Sequence, residues 1–436
     1  MKSKVYSTVE QFKEQNAELK TDLPISDDNS VLCQKVKIGN LELSNRLVCQ
    51  AMEGCDGTAD GRPDELTVRR YERLSKGGAG LIWFEATAVC NEGRANPRQL
   101  YINEKNLDDF KKIVENIKQW GMKENGYEPA VIMQATHSGR YSKPEGKPAP
   151  IIAYNNPIFE KDNPIDKSRI ITDEGLDRVH ESLVHAAGLA KEAGFDGVDI
   201  KCCHRYLNSE LLSAFTREGR YGGSFENRTR LLRESVRDSI SLCGDGFTVT
   251  SRMNVYDGFP YPYGFGVKEG EGITPDFSEA DRLIKELAEL GVKLLDITMG
   301  NPYFNPHVNR PYAAGGYEPP EHPLCGVARM LKGTAKLGKA NPDVSLICSG
   351  LSFLGAAAPG VAAAFIEEGG FSLAGFGRMI FAYPDFAKDI VNGRFDPKKI
   401  CIACSKCTEI MRAGGTPGCI VRDGETYMPI YKKYCK

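Results

Sequence analysis

The sequence predicts an α/β protein: one (β/α)8 TIM barrel followed by a short cysteine-bearing segment. Three observations predict it. Eight short apolar runs alternate with helical or irregular stretches along the chain, and strand–helix alternation at that density implies a closed parallel barrel. Four of those runs are entered directly from a glycine, the residue that ends a helix in a left-handed conformation. No G-x-G-x-x-G follows the first run, which disfavours a doubly wound sheet. A length of 436 residues suits one such barrel with appendages.

Residues 1–34 are polar and helix-prone, and read as an N-terminal extension laid on the surface. The barrel is assigned to 35–395. Its strand candidates are 46–53, the run GGAGLIWFEA from Gly77, 130–136, AGFDGVDI from Ala193, 247–254, LGVKLLDI from Leu290, 344–350 and GGFSLAGFGR from Gly369. Their continuous apolar character suits strands buried on both faces. Between them lie amphipathic stretches. In residues 278–290, Leu283, Ile284, Leu287 and Leu290 share one helix face, with Thr274-Pro275 as an upstream start signal. Residues 141–171, rich in Pro, Lys and Asn, predict a long loop at the catalytic end. From 396 to 436 the pattern breaks and a separate segment begins.

Hydrophobic residues make up 41% of the chain and charged residues 26%, with a net charge of -2 and both signs interspersed. Nucleic acid or an anionic membrane surface would call for a basic stripe, which is absent. No apolar run follows the first lysines, and no segment is long and apolar enough to span a bilayer, so a cytoplasmic address is expected. There, 14 cysteines read as free thiols or metal ligands rather than disulfides. Most are scattered and predict small buried residues.

Four are not scattered. Cys401, Cys404 and Cys407 are spaced C-x2-C-x2-C, and Cys419 follows after eleven residues, across the turn-forming run Ala413-Gly-Gly-Thr-Pro-Gly418. Zinc prefers two separated C-x2-C knuckles, whereas three-plus-one is the habit of iron–sulfur ligation. Unliganded thiols and a structural zinc are the alternatives.

The strand ends carry Gln134 with His137-Ser-Gly-Arg140, then Lys201-Cys-Cys-His204-Arg-Tyr206, Tyr221-Gly-Gly-Ser-Phe-Glu-Asn-Arg228, Arg252 and Gly377-Arg378. Barrels place their chemistry at C-terminal strand ends. These elements resemble the Old Yellow Enzyme family of flavin reductases over residues 35–425, YGGSFENR being the most specific. The cysteine tail is similar to the branch containing 2,4-dienoyl-CoA reductase and trimethylamine dehydrogenase.

The resemblance implies FMN at the barrel top and a 4Fe–4S cluster on the four cysteines. It implies that Gln134 bonds the flavin pyrimidine, Arg252 faces N1–O2, Ala51, Met52 and Glu53 line the ring, and Ala86 approaches it through its backbone. Gly350, Gly377 and Arg378 match the phosphate site. Lys201 and His204 occupy the positions that hold a substrate carbonyl, and Tyr206 matches a proton-donating tyrosine. Three departures stand out. Lys201 replaces the usual histidine. Gly300-Asn-Pro-Tyr303 lies where dienoyl-CoA reductase has a second acid, with His307 out of register. Glu53 lies where trimethylamine dehydrogenase has its flavin-linked cysteine, with Cys55 two residues on.

The expected reaction is hydride transfer from reduced FMN to an activated C=C bond in an apolar enone, enoate or enoyl thioester. Oxidative demethylation or amine dehydrogenation is the first alternative, an electron-transfer subunit the second. Larger relatives carry a further FAD- and NAD(P)-binding domain after the cluster. This sequence stops at Lys436, so electrons are expected from NAD(P)H directly or from a ferredoxin or flavoprotein donor. Neither nucleic acid nor membrane is expected as partner, and a homo-oligomer is compatible with the chain.

Overall fold

The computed structural model describes residues 4–435. Eight parallel strands close into a barrel in simple sequence order. They are β1 (Leu47–Cys49), β2 (Leu81–Ala88), β3 (Ala130–Thr136), β4 (Gly197–Ile200), β5 (Thr248–Asn254), β6 (Leu294–Thr298), β7 (Ser345–Cys348) and β8 (Leu373–Phe376). Each overlaps one of the runs read from sequence, with β2 extending two residues and β6 one residue past theirs, and β8 pairs with both β7 and β1 to complete the ring.

The helices that cover the barrel include α1 (Glu65–Lys76), α2 (Leu107–Asn125), α3 (Asp173–Glu192), α4 (Arg230–Cys243), α5 (Ser278–Glu289), α6 (Pro323–Ala340) and α7 (Ala358–Glu367). Their starts are locally encoded. Asp64 and Thr67 form a reciprocal capping box on α1, and Thr172 Oγ1 accepts the Gly175 amide on α3. α5 buries Ala280, Leu283, Ile284 and Leu287 as its periodicity demands. Its start is not signalled by Thr274-Pro275: the Asp276 carboxylate, two residues nearer, accepts the Ser278 amide at 2.9 Å.

Two apolar cores result. One lies between strands and helices. The other fills the barrel axis with Val48, Leu81, Trp83, Ile132, Leu294, Ile347 and Leu373, and includes Ile38, Leu41 and Leu43. Those last three come from an antiparallel hairpin, Val36–Ile38 with Leu41–Leu43, that the sequence reading did not anticipate. With the barrel axis so filled, ligands can enter only at the other mouth. The N-terminal arm is helical over Val9–Glu18 and docks beside α7, with Phe12 fully buried and Tyr6 carbonyl accepting the Ala356 amide. Residues 141–171 are mostly irregular, with one short helix at Pro157–Glu160 and a 3-10 turn at Lys167–Arg169.

After residue 396 the tail crosses the mouth and folds into two helices, Lys406–Arg412 and Gly424–Tyr434. Asp423 ties it to the barrel. Its carboxylate accepts from Arg69 of α1 at 2.8 and 3.0 Å and also pairs with Arg73. No helix among the described residues is long and apolar enough to cross a membrane.

Candidate functional site

Two adjoining cavities open at the C-terminal ends of the strands. The first brings together Ala51, Met52, Glu53, Ala86, Gln134, Lys201, His204 and Tyr206. The second holds Arg252, Gly350, Gly377 and Arg378, and shares Ala51, Met52 and His204 with the first. All twelve barrel positions singled out from sequence therefore meet at one mouth.

The floor is wired by two buried acids inside otherwise apolar strands. Asp199 on β4 accepts from Gln134 Nε2 at 2.7 Å, Trp83 Nε1 at 2.8 Å and the Arg252 amide at 2.7 Å. A carboxylate can only accept when ionised, so it fixes the Gln134 amide with its nitrogen inward and Oε1 free as an acceptor. Asp296 on β6 accepts from Gln50 at 2.8 Å and lies 3.0 Å from Arg252 Nε, an ion pair without hydrogen-bond alignment. Burial lifts the Asp296 carboxyl to about 7, against the pull of Arg252. Arg252 also donates to the Ala51 carbonyl at 3.2 Å. Ala86 sits at a register irregularity in β2, and its carbonyl already accepts from Gln99 at 3.1 Å. Bulges of this kind re-aim residues beside active sites.

One wall is phenolic and cationic. Tyr206 hydroxyl lies 2.9 Å from the Tyr303 hydroxyl and donates to Glu53 Oε2 at 3.2 Å. Lys201 Nζ stands 3.8 Å from the centre of the Tyr206 ring. Tyr303 stacks on Tyr141 with centroids 3.9 Å apart. Burial keeps Tyr206 neutral far into the alkaline range, and Glu53 adds to this once it is ionised. Burial also lowers Lys201, and burial together with Arg252, Lys201 and Arg310 holds His204 uncharged. Burial raises the Glu53 carboxyl, partly opposed by Lys201 and the Tyr206 hydroxyl. His204 and Arg205 both adopt positive φ, 64° and 59°, an uncommon pair for non-glycine residues. Arg205 is fully buried and bonded to Asp257 at 3.0 Å, which anchors the turn that presents His204 to the mouth.

Four residues of the site were not read from sequence. Asp199 and Asp296 hide in strand runs, where an acid inside VDI or LLDI is itself the missed signal. Tyr303 and Arg310 lie in the irregular stretch after β6, which has no periodicity to mark them.

The four tail cysteines line one further cavity with Arg378 and Phe381. Cys407 and Phe381 also face the first mouth cavity, and Arg378 the second. None of the four is in a disulfide. Cys401 Sγ accepts the Ala403 amide at 3.4 Å and Cys419 Sγ the Arg422 amide at 3.3 Å. A tetrahedral zinc thiolate with bonds of about 2.3 Å brings its sulfurs within about 4 Å of one another. Among the described residues only Cys90, Glu92 and His137 place three ligand atoms all within 4.8 Å, so no three of the tail sulfurs are gathered at single-ion spacing in this structure.

A model of the NADH:flavin oxidoreductase / NADH oxidase family matches residues 32–396. The chain belongs to that family. This NADH:flavin oxidoreductase-family chain is 30% identical over 276 residues to the NADPH dehydrogenase of Geobacillus sp. (strain WCH70), covering 62% of the chain and 73% of the relative. Two solved structures share its fold. A 2-naphthoyl-CoA reductase in complex with 2-naphthoyl-CoA aligns with TM-score 0.73 at 21% identity, covering 93% of this chain, which spans 58% of that one. The Old Yellow Enzyme from Pichia sp. AKU4542 aligns with TM-score 0.62 at 21% identity, covering 86% and 91%. The chain is therefore an FMN-dependent oxidoreductase of the NADH:flavin oxidoreductase family.

The mouth fits FMN. Arg310 Nη1 and Arg378 Nη1 are buried without hydrogen-bond partners, a costly state that an anionic phosphate would relieve. Burial first, and then the neighbouring Arg378, bring the Arg310 guanidinium down to about 10, the direction an anion bound between them would oppose. Gly350 has φ 103°, closed to ordinary side chains, and a Cβ on Gly377 would meet only Met52 and Gln50, so the backbone there is open to a ligand.

Proposed function

We propose that the chain is an ene-reductase acting on an activated C=C bond, with Tyr206 as its proton donor. Bound FMN supplies the hydride equivalent. Gln134 Oε1 would accept from its pyrimidine edge, Arg252 would balance charge on the N1–O2 side, and Arg310 and Arg378 would hold the phosphate. Lys201 and His204 donate to the carbonyl or carboxylate oxygen of the substrate. His204 is neutral, so it serves as a hydrogen-bond donor, while Lys201 contributes charge toward a developing enolate. Tyr206, neutral and hydrogen-bonded, gives its proton to the α-carbon.

The observation that carries this reading is the Tyr206 hydroxyl, held at the mouth by Glu53 and Tyr303 beside the Lys201 ammonium. That ammonium also weighs against an amine substrate. The tyrosines resemble a cation cage, but Lys201 already stands over Tyr206 and would repel a second cation.

Cys401, Cys404, Cys407 and Cys419 would hold a 4Fe–4S cluster, which supplies single electrons when present. The shared Cys407–Phe381 wall supports passage between that cavity and the mouth. A ferredoxin or flavoprotein docking beside the tail is the proposed donor, with NAD(P)H as the alternative route.

The test is anaerobic. The flavin-loaded chain is photoreduced, then mixed with enones, enoates and amines while flavin absorbance is followed. Reoxidation by the alkenes alone supports the reading. Reduction of the oxidised protein by amines would replace it with dehydrogenation, and indifference to both would favour an electron-transfer role.

A further inference from the structure

Glu53 belongs to two cavities at once. On one side it meets Tyr206 and Lys201 in the mouth. On the other it lines a wider space reaching the surface between Arg98, Lys143 and Arg412, of which Lys143 and Arg412 are exposed. Tyr303 and Met411 border both spaces. One carboxylate oxygen lies 3.2 Å from the Tyr206 hydroxyl, and the other accepts from Asn96 at 3.3 Å.

We propose that Glu53 resupplies the proton that Tyr206 gives to substrate, drawing it from the outer cavity. The inference rests on the ene-reductase reading. The Tyr206 O–H bond breaks as its proton goes to the α-carbon, leaving a phenolate. The Glu53 O–H proton then passes to the phenolate oxygen, leaving a carboxylate that takes a proton from water in the outer cavity. No electrons move in these transfers.

Charge dictates the order. A phenolate beside an ionised Glu53 would place two negative charges at hydrogen-bond distance in a buried site, with only Lys201 to offset them. Glu53 must therefore be protonated when Tyr206 reacts, and burial favours that form. The charged and titratable groups facing it are Lys201, Tyr206, Tyr303, Cys55 and Glu85, with Arg98, Lys143, Arg412 and Tyr141 across the outer cavity. Glu53 acts through Tyr206 and touches no reacting carbon, so it is a positioning and proton-supplying residue.

The experiment uses the full chain loaded with FMN, photoreduced, and mixed with 2-cyclohexenone or crotonate across pH. Wild-type reoxidation is expected to fall as pH rises through the Glu53 range. Glu53→Gln keeps the side-chain shape but carries no proton. It is expected to slow reoxidation by on the order of 10 to 10²-fold at neutral pH, flatten the alkaline limb and leave FMN bound. Glu53→Asp should restore the limb. Infrared spectra of the substrate-free wild type should contain a protonated-carboxyl C=O stretch that the glutamine variant lacks. If wild type ignores both alkenes, the ene-reductase reading fails and the relay with it. If wild type reacts but Glu53→Gln matches it at every pH, or if the infrared band is absent, the relay alone is overturned.

Discussion

Replacing Tyr206 by Phe removes one oxygen and keeps the ring. The ring still packs beneath Lys201, so the Lys201–ring contact at 3.8 Å persists. What is lost is the hydroxyl between Glu53 at 3.2 Å and Tyr303 at 2.9 Å. Two hydrogen bonds at about 1 kcal/mol each put the stability cost near 2 kcal/mol, which a barrel with this much buried core survives. General acid catalysis supplies roughly 10²- to 10⁴-fold, so the barrier to alkene-driven reoxidation should rise by about 3–5 kcal/mol. The FMN contacts proposed above involve none of these atoms. Stopped-flow absorbance of the photoreduced protein against 2-cyclohexenone reads the step directly, while reduction by NADPH reads the opposite half-reaction. The expected result is slow reoxidation with normal flavin content and normal reduction. A variant that reoxidises at the wild-type rate would refute the assignment of the proton to Tyr206.

Arg310→Ala should weaken FMN by on the order of tenfold or more but leave riboflavin binding unchanged, since a charged hydrogen bond contributes about 1.5–3 kcal/mol; titration with both flavins separates a phosphate contact from general disruption. Cys404→Ser should abolish acid-labile sulfide and iron in anaerobically prepared protein while far-UV circular dichroism stays that of the barrel; zinc without sulfide in the wild type would eliminate the cluster. Burial raises the Asp423 carboxyl, but Arg69 and Arg73 outweigh it and hold the group below its ordinary range. A depressed carboxylate stabilises above its unfolded pKa and loses that contribution as pH falls through the folded value. The tail should therefore hold in mild acid and loosen only as pH falls below the ordinary carboxylate range, with cleavage near residues 396–400 by an acid-active protease increasing there, and Asp423→Asn should show cleavage at the same place already at neutral pH.

The eight strands were legible because each is a short apolar run, half of them entered straight from a glycine, and barrels impose few other constraints on sequence. The helix faces followed from their period. Residues at the strand ends could be marked for the same reason, since their position in a run already says which end of the barrel they face. The hairpin plug was not legible: its three-residue strands are shorter than any periodicity can declare. Asp199 and Asp296 look like interruptions in apolar runs until the barrel brings Gln134, Trp83 and Arg252 around the first and Gln50 around the second. Tyr303 and Arg310 are set by the path of an irregular segment, which only tertiary packing determines. The cysteine spacing marked four residues that line one cavity, but that the cavity shares Cys407 and Phe381 with the mouth depends on how the tail folds back.

The mouth has two unlike walls. Asp199 joins the Trp83 and Gln134 side chains and the Arg252 amide, from β2, β3 and β5, through a single carboxylate, so neither Trp83 nor Gln134 can be altered without taking a donor from a buried acid. The opposite wall, Pro302, Tyr303, Met411 and Pro417, comes from an irregular loop and the tail. For protein engineering this divides the labour. Libraries aimed at new substrates belong at Pro302, Met411 and Pro417, where bulk can change without touching the barrel's hydrogen-bond lattice. Randomising the barrel side would mostly sample unfolded protein.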